Sequence, residues 1–388
     1  MKLGNGIVNV GVNSHDIDLF EGQYEVPYGM AYNSYLILDE KIAVLDTVDA
    51  RFGDSWLDNV GKALEGRLPD YLVVHHMEPD HSSNIARFLE KYPDVTVVSS
   101  LQSFKAMEQF FGKDVAPRRF IVDEGDILEL GHHNLRFVAA PMVHWPEVVV
   151  SYDASCKTLF SADAFGKFGA TDVEDPRGWD FDARRYYIGI VGKYGLQVQA
   201  LLKKAAGLQI ERICPLHGPV LEGDSIAHAV GKYQTWSSYA PESEGVAIAF
   251  TSVYGHTREA VMLLRDELLS RGCPDVAVVD LARGDHAEAV ANAFRYGKLV
   301  LATTTYNSGI FPFMRDFIQH LSDRAFKNRD IALIENGTWA PLAAKIMKSL
   351  LAGCPDIRYV EPVVTLRSAM TDATRAQIAE LAAALVRE

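Results

Sequence analysis

The sequence predicts an α/β protein of two domains, a pair of β-sheets covered by helices followed by a doubly wound parallel sheet. Three observations lead there. The 388 residues exceed the span of one ordinary hydrophobic core. From about Tyr35 to Val220, short apolar β-like segments are separated by turns and amphipathic stretches. After Gly245, strand-like and helix-like segments alternate regularly.

The first region contains SYLIL, IAVLD, YLVVHH, VTVVSS, LRFVAA, VVVSYD and TLFSAD, with helix-like stretches at Ser82–Tyr92 and Leu101–Phe111. Such strands and helices fit two covered sheets better than an all-helical fold. The polar, Pro- and Gly-containing segment Ser237–Gly245 has no periodicity and places the boundary there, giving domains 1–243 and 244–388. The second region reads as the strand VAIAF, a helix over His256–Arg271, the strand DVAVVDL and a helix over Ala287–Phe294. It continues with the strand KLVLAT, a helix over Phe313–Leu321, the strand DIALIE and a helix over Leu342–Leu351. A strand over Arg358–Leu366 and a helix from Asp372 end the series. A ligand of such a sheet is expected at the carboxyl ends of its strands.

Composition excludes several classes. With 48% hydrophobic and 23% charged residues the chain is neither disordered nor fibrous. A net charge of −13 without a compensating basic cluster argues against nucleic acid as a partner. No stretch approaches the roughly 18 apolar residues of a membrane span, and the N-terminus lacks a signal-like apolar run. A cytoplasmic protein is expected. The scattered Cys156, Cys214, Cys273 and Cys354 form no CxxC pair and are expected to be reduced structural thiols.

The densest chemical signal is His75-His76-Met77-Glu78-Pro79-Asp80-His81, directly after the strand YLVV. In an extended segment, alternation puts His76, Glu78 and Asp80 on a common side, with His81 free to turn toward a second metal. His75 then points the other way, to a structural role or a place just behind the ligands. Similar settings hold His144 in APMVHWPE, Asp163 in LFSADAFG and His217 in ICPLHGP, each after an apolar strand. Singly, each reads as readily as a structural histidine, turn or cap. Together they form H-x-E-x-D-H followed by H, D and H. His132 and His133 have no partners in that pattern and are expected at the surface. Trp145 and Tyr194 are expected either to pack or to wall a pocket.

In the second region Thr251-Ser252-Val253-Tyr254-Gly255-His256-Thr257 leads from a strand straight into a helix. Hydroxyls and N–H groups at a helix N-terminus suit a phosphate without Lys or Arg. The loop lacks the G-K-[ST] of a Walker A motif and the glycines of a dinucleotide loop. Later strands end in Thr303-Thr304-Thr305-Tyr306-Asn307-Ser308-Gly309 and Glu335-Asn336-Gly337-Thr338-Trp339-Ala340. Tyr306 and Trp339 can stack on a planar ring, and backbone groups of Asn307, Gly309 and Gly337 can meet its polar edge. Packing in the core is the competing role for both aromatics.

The metal pattern is similar to that of the metallo-β-lactamase superfamily, with Glu78 where zinc hydrolases usually carry a second His. The loop Thr251–Thr257 resembles the flavodoxin phosphate loop T-x-x-x-G-x-T. In this order, over essentially the whole chain, the two resemble a flavodiiron protein. The departures are TTY for the family's usual PTY and ENGTWAP in the last loop. The resemblance implies an α/β fold with an N-terminal metallo-β-lactamase-like αββα sandwich and a flavodoxin-like doubly wound parallel sheet. It implies two Fe in a non-haem diiron site and FMN. His76, Glu78 and His144 would bind one iron, Asp80, His81 and His217 the other, and Asp163 would bridge. In some relatives water replaces the residue matching His81. A hard carboxylate at Glu78 suits iron that must survive as Fe(III).

The implied FMN site comprises Thr251, Ser252, Val253, Tyr254, Gly255, His256, Thr257, Thr305, Tyr306, Asn307, Gly309, Asn336, Gly337, Thr338, Trp339 and Ala340. The implied activity is reduction of O2 to water, which takes four electrons, or of NO to N2O, which takes two per pair. The implied assembly is a head-to-tail homodimer, able to pair into a tetramer, that brings one chain's flavin to the other's irons. No CxxC-containing rubredoxin module precedes Glu388, so electrons are expected from rubredoxin, a reduced deazaflavin or a flavin reductase. The rival expectation is a dinuclear metal hydrolase with a regulatory flavodoxin domain, which metal analysis would separate.

Overall fold

The structure, a computed structural model, describes residues Met1–Arg387. Two compact units divide the chain. The first comprises Met1–Tyr187 and Leu196–Gln234, the second Ile188–Gly195 and the residues from Thr235 onward.

Alternating or wholly apolar strands build the first unit. In Asn134–Ala139, Leu135 and Phe137 are buried while Arg136 is exposed, the period-2 pattern of a strand with one wet face. Val149–Asp153 is buried throughout and lies inside its sheet. The strands form a seven-stranded sheet, in spatial order Lys2–Gly4, Ile7–Asn9, Tyr35–Ile37, Ala43–Leu45, Tyr71–Val73, Thr96–Ser99 and Arg119–Ile121. A six-stranded sheet runs Ile127–Glu129, Asn134–Ala139, Val149–Asp153, Thr158–Phe160, Arg212–Cys214 and Leu221–Glu222. Ile37, Leu45, Val73 and Val98 of one sheet pack with Leu135, Phe137, Phe160 and Cys214 of the other. Each such side chain contributes about 1.5–3 kcal/mol by leaving water.

Helices cover these sheets where sequence capping permits. Leu101–Phe111 starts at Ser100, whose hydroxyl accepts from the Ser103 amide, and buries Phe104 and Met107 one turn apart. It stops at Gly112, whose φ of +67° favours a residue without Cβ.

The second unit is a parallel sheet in the order Val276–Asp280, Ser243–Phe250, Tyr296–Tyr306, Arg329–Asn336, Ile357–Leu366. Helices His256–Ser270, His286–Arg295, Pro312–Asp323, Ala343–Leu350 and Asp372–Val386 alternate with the strands. The chain reverses direction across the sheet between the neighbours Ser243–Phe250 and Tyr296–Tyr306. Their carboxyl ends open the crevice where such folds take ligands. Ile248, Phe250, Val300, Ala332 and Ile334 pack against Val261, Leu264, Ile378 and Leu381 of two helices. Thr371 caps the last helix in a reciprocal box with Thr374.

Candidate functional site

In the first unit the strand ends deliver the polar residues. His76 follows Tyr71–Val73, Asp163 follows Thr158–Phe160, and His217 follows Arg212–Cys214. His144 sits in the loop before Val149–Asp153. The extended-segment expectation fails at Asp80. Pro79, with its φ fixed near the helical value, opens a helical turn over Pro79–Ser82. That turn removes Asp80 from the side of His76 and Glu78 and groups it with His81 and His217.

Two triads result. The His144 Nε2 lies 3.0 Å from Glu78 Oε2 and 3.0 Å from Asp163 Oδ2, and His76 Nε2 lies 3.4 Å from each of these carboxylates. In the other triad, His81 Nε2 is 3.0 Å from His217 Nε2, 3.3 Å from Asp80 Oδ2 and 3.2 Å from Asp163 Oδ1. His217 Nε2 is 3.2 Å from Asp80 Oδ2. The two oxygens of Asp163 therefore face different triads.

The hydrogen-bond inventory decides what this can hold. His76 Nδ1 lies 2.8 Å from Glu147 Oε1, and His217 Nδ1 lies 2.7 Å from the Ala31 carbonyl. A nitrogen facing a carbonyl must carry the proton, so the Nε2 of neutral His217 is a lone pair. The same holds for His76 against its carboxylate. Both lone pairs point at another imidazole nitrogen, 3.3 Å away for His76 and His144. Asp80 Oδ1 and Oδ2, Asp163 Oδ1 and His81 Nδ1 are buried without a hydrogen-bond partner among the described residues. Converging lone pairs and unpartnered buried oxygens call for cations. Donor spacings of about 3 Å are those set by metal bonds of about 2.0–2.2 Å, so the residues fit a pair of metal ions.

Titration points the same way. Burial would raise the Asp163 carboxyl, but the His76 charge and hydrogen bonds from His144 and His76 hold it well below the usual range. Burial disfavours charged His144, yet Asp163 and Glu78 lift it to about 9. The carboxylates demand positive charge, which protons supply unless metals do.

Several partners were invisible in sequence. Glu147 also accepts from the Met77 amide at 3.0 Å. Asp46 accepts from the His75 amide at 2.7 Å and bonds the His75 ring at 2.6 Å, and Ser151 holds its other nitrogen at 2.7 Å. His75 is thus structural, as its parity implies. Phe20, Tyr32 and Tyr186 ring His217. Trp145 stands edge-on to His76 at 5.3 Å. Tyr194 belongs to the second unit and is half-buried. The 144–147 spacing of HWPE, a carboxylate three residues after a candidate ligand, was the one available signal for Glu147.

His133 corrects another expectation. His132 is exposed, but His133 is buried beside Asp153 and Cys156. Its Nδ1 is 2.5 Å from Asp153 Oδ2, closer than donors around a metal sit, so the pair is a charge-assisted hydrogen bond. Against burial, Asp153 and Cys156 push His133 up to about 10, and Asp153 is held at about 2.

The second unit carries a cavity of about 510 Å³ at the strand ends. Ser252, Val253, Tyr254, His256, Thr257, Thr305, Tyr306, Asn307, Asn336, Gly337, Thr338, Trp339 and Ala340 line it. Thr304, Ser308, Leu342 and Ser368 join them. Thr251 stands behind it, its hydroxyl 2.6 Å from that of Thr303, and Gly255 and Gly309 also lie outside the lining. Gly255, at φ +102°, turns the chain into the helix from His256. Ser252 Oγ accepts from the Gly255 and Arg258 amides at 3.1 and 3.3 Å, which fixes the loop. Tyr306 and Trp339 are 43% and 88% exposed, which excludes core packing. Among the described residues, no lysine or arginine lines the cavity. Polar backbone, hydroxyls and exposed rings fit a flat aromatic ligand with a phosphate tail.

Known proteins share this organisation. Residues 30–218 match the family described as ODP family beta lactamase. A rubredoxin-oxygen oxidoreductase of Megalodesulfovibrio gigas is 28% identical over 91% of this chain and 89% of its own. A putative diflavin flavoprotein A 2 of Synechocystis is 34% identical over 70% of this chain. The match spans 47%, about half, of that longer protein. An anaerobic nitric oxide reductase flavorubredoxin of Klebsiella pneumoniae is 27% identical over 87% of this chain and 71% of its own. Among solved structures, rubredoxin oxygen:oxidoreductase from Desulfovibrio gigas superposes with a TM-score of 0.93 at 26% identity, covering 99% of this chain and 97% of that one. The flavodiiron protein of Giardia intestinalis gives 0.91 at 25%, covering 99% and 96%.

Proposed function

The chain belongs to the flavodiiron proteins, oxidoreductases with FMN and a non-haem diiron centre, and we propose that it reduces O2 to water, NO to N2O, or both. In this reading His76, Glu78 and His144 would hold one iron, Asp80, His81 and His217 the other, and Asp163 would serve both. The observation that carries it is the convergence of imidazole lone pairs with buried carboxylates, of which Asp80 Oδ1 and Oδ2 and Asp163 Oδ1 have no hydrogen-bond partner among the described residues. When bound, the iron pair and FMN supply the electrons that a diatomic gas requires.

The chain's own residues do the rest. Glu147 and the Ala31 carbonyl hold His76 and His217 with Nε2 inward. Phe20, Tyr32 and Tyr186 shield the His217 side from water. In the second unit the amides of the His256 helix would take the flavin phosphate, and Tyr306 and Trp339 would flank the ring.

An external donor, a rubredoxin or a reduced flavin or deazaflavin system, would feed the FMN in a head-to-tail homodimer. Both gas activities appear among the names of the relatives. Metal analysis with anaerobic steady-state consumption of each gas tests the proposal. Two irons per chain and turnover of either gas support it; two zincs and no turnover would replace it with a hydrolase.

A further inference from the structure

The two halves of the metal cluster are balanced in their nearest donors and unbalanced just behind them. Each triad offers two imidazoles, one carboxylate and one oxygen of Asp163. Any difference between two bound metals must therefore come from what the imidazoles lean on.

His76 leans on a carboxylate. Glu147 is 4% exposed, and a single oxygen, Oε1, accepts from both His76 Nδ1 at 2.8 Å and the Met77 amide at 3.0 Å. On the other side His217 leans on a neutral carbonyl, and His81 Nδ1 is buried with no partner among the described residues. Among the described residues, none of His81, His144 and His217 has a carboxylate within reach of its Nδ1. An anionic acceptor draws the Nδ1 proton away and makes Nε2 a stronger donor. A stronger donor favours the higher-charged metal more than the lower.

We infer that Glu147 makes the two irons inequivalent, fixing the His76–Glu78–His144 position as the one that stays ferric on one-electron reduction and keeps its metal longer. Glu147 is a positioning residue: it acts through His76 and touches no substrate. The inference rests on the diiron reading above.

Dithionite supplies the electron, converting one Fe(III) to Fe(II) and leaving the other oxidised. The test is an EPR-monitored redox titration of the two-iron protein and of Glu147→Gln, whose amide oxygen can keep both hydrogen bonds without the charge. Partners behind a metal ligand change metal binding roughly 10–100-fold. Applied to the ferric over the ferrous form, that is about 60–120 mV for a one-electron couple. Glu147→Gln should raise one iron's potential by that amount and leave the other in place, with two irons still bound. Equal shifts in both couples, or none, would overturn the inference.

The parent protein alone gives a second test. A chelator should remove one iron before the other. After refilling that position with 57Fe and reducing by one electron, Mössbauer spectra should show the label ferrous. Release of both irons at one rate, or a ferric label, sinks the inference while leaving the diiron reading intact. A protein that holds no iron at all defeats the reading itself.

Discussion

The candidate metal cluster and the proposed flavin cavity solve opposite problems. The first gathers buried and half-buried ionisable side chains from strand ends far apart in sequence, from His76 to His217. The second presents a loop's backbone, neutral hydroxyls and two exposed rings. Side-chain chemistry defines one site and main-chain geometry the other. Substitutions should therefore be far more damaging in the first, and their costs graded in the second.

The largest effect is expected at Asp163, the residue shared by both triads. Removing a partner behind a metal ligand already costs about 10–100-fold. Asp163→Ala should exceed that, dropping iron to near zero by plasma emission analysis and gas consumption with it. Retention of two irons would break the view that this carboxylate serves both halves.

Thr257→Ala tests the cavity. Losing one hydrogen bond to a charged phosphate costs about 1.5–3 kcal/mol, so FMN should bind roughly ten- to a hundredfold more weakly by fluorescence titration. Iron content should stay at two per chain. An unchanged affinity would move the phosphate elsewhere.

A smaller effect is expected for Trp339→Ala. Stacking beyond area burial is worth about 0.5–1.5 kcal/mol, a loss of roughly two- to thirteenfold in FMN affinity. The flavin absorption band should shift as the ring loses its neighbour. A variant with parent affinity and spectrum would assign the ring's face to Tyr306 alone.

The mildest test uses the buried pair without a metal role. His133 is lifted from 6.5 to about 10, so its stabilisation is complete below its ordinary value and fades as pH rises through 10. Asp153 is lowered from 3.8 to about 2, so its share holds above 3.8 and is lost as pH falls through 2. Urea unfolding of the parent should weaken progressively from pH 6.5 to 10, and His133→Asn should flatten that slope. Identical slopes would show the pair to be uncoupled from folding.

What sequence reveals follows the same division. The αββα and doubly wound layers were legible because periodicity is local: LRFVAA alternates, and VAIAF leads straight into a helix-capping loop. The ligand-type residues were legible because each follows an apolar strand. The side on which Asp80 falls came from the resemblance and not from alternation, since one proline converts a strand-like alternation into a helical turn. His133 was missed because its partner Asp153 lies on a neighbouring strand, visible only once register pairs Asp153 with Leu135. Glu147 was missed because its task is set by His76, in the loop after a strand of the other sheet. The assignment of Ile188–Gly195 to the second unit had no local signature.

The cavity that lacks lysine and arginine has a practical consequence. Where a cofactor's phosphate is gripped by mobile cationic side chains, dissolved salt competes, because counter-ions screen charge over about 8–10 Å at ordinary ionic strength. In the proposed site the grip would come from amide dipoles fixed in a turn and a helix end, which small ions outside the loop would barely attenuate. The flavin should therefore survive high-salt chromatography and part from the protein only when the loop itself opens, so that cofactor loss reports on local unfolding of Thr251–Thr257 rather than on the solvent.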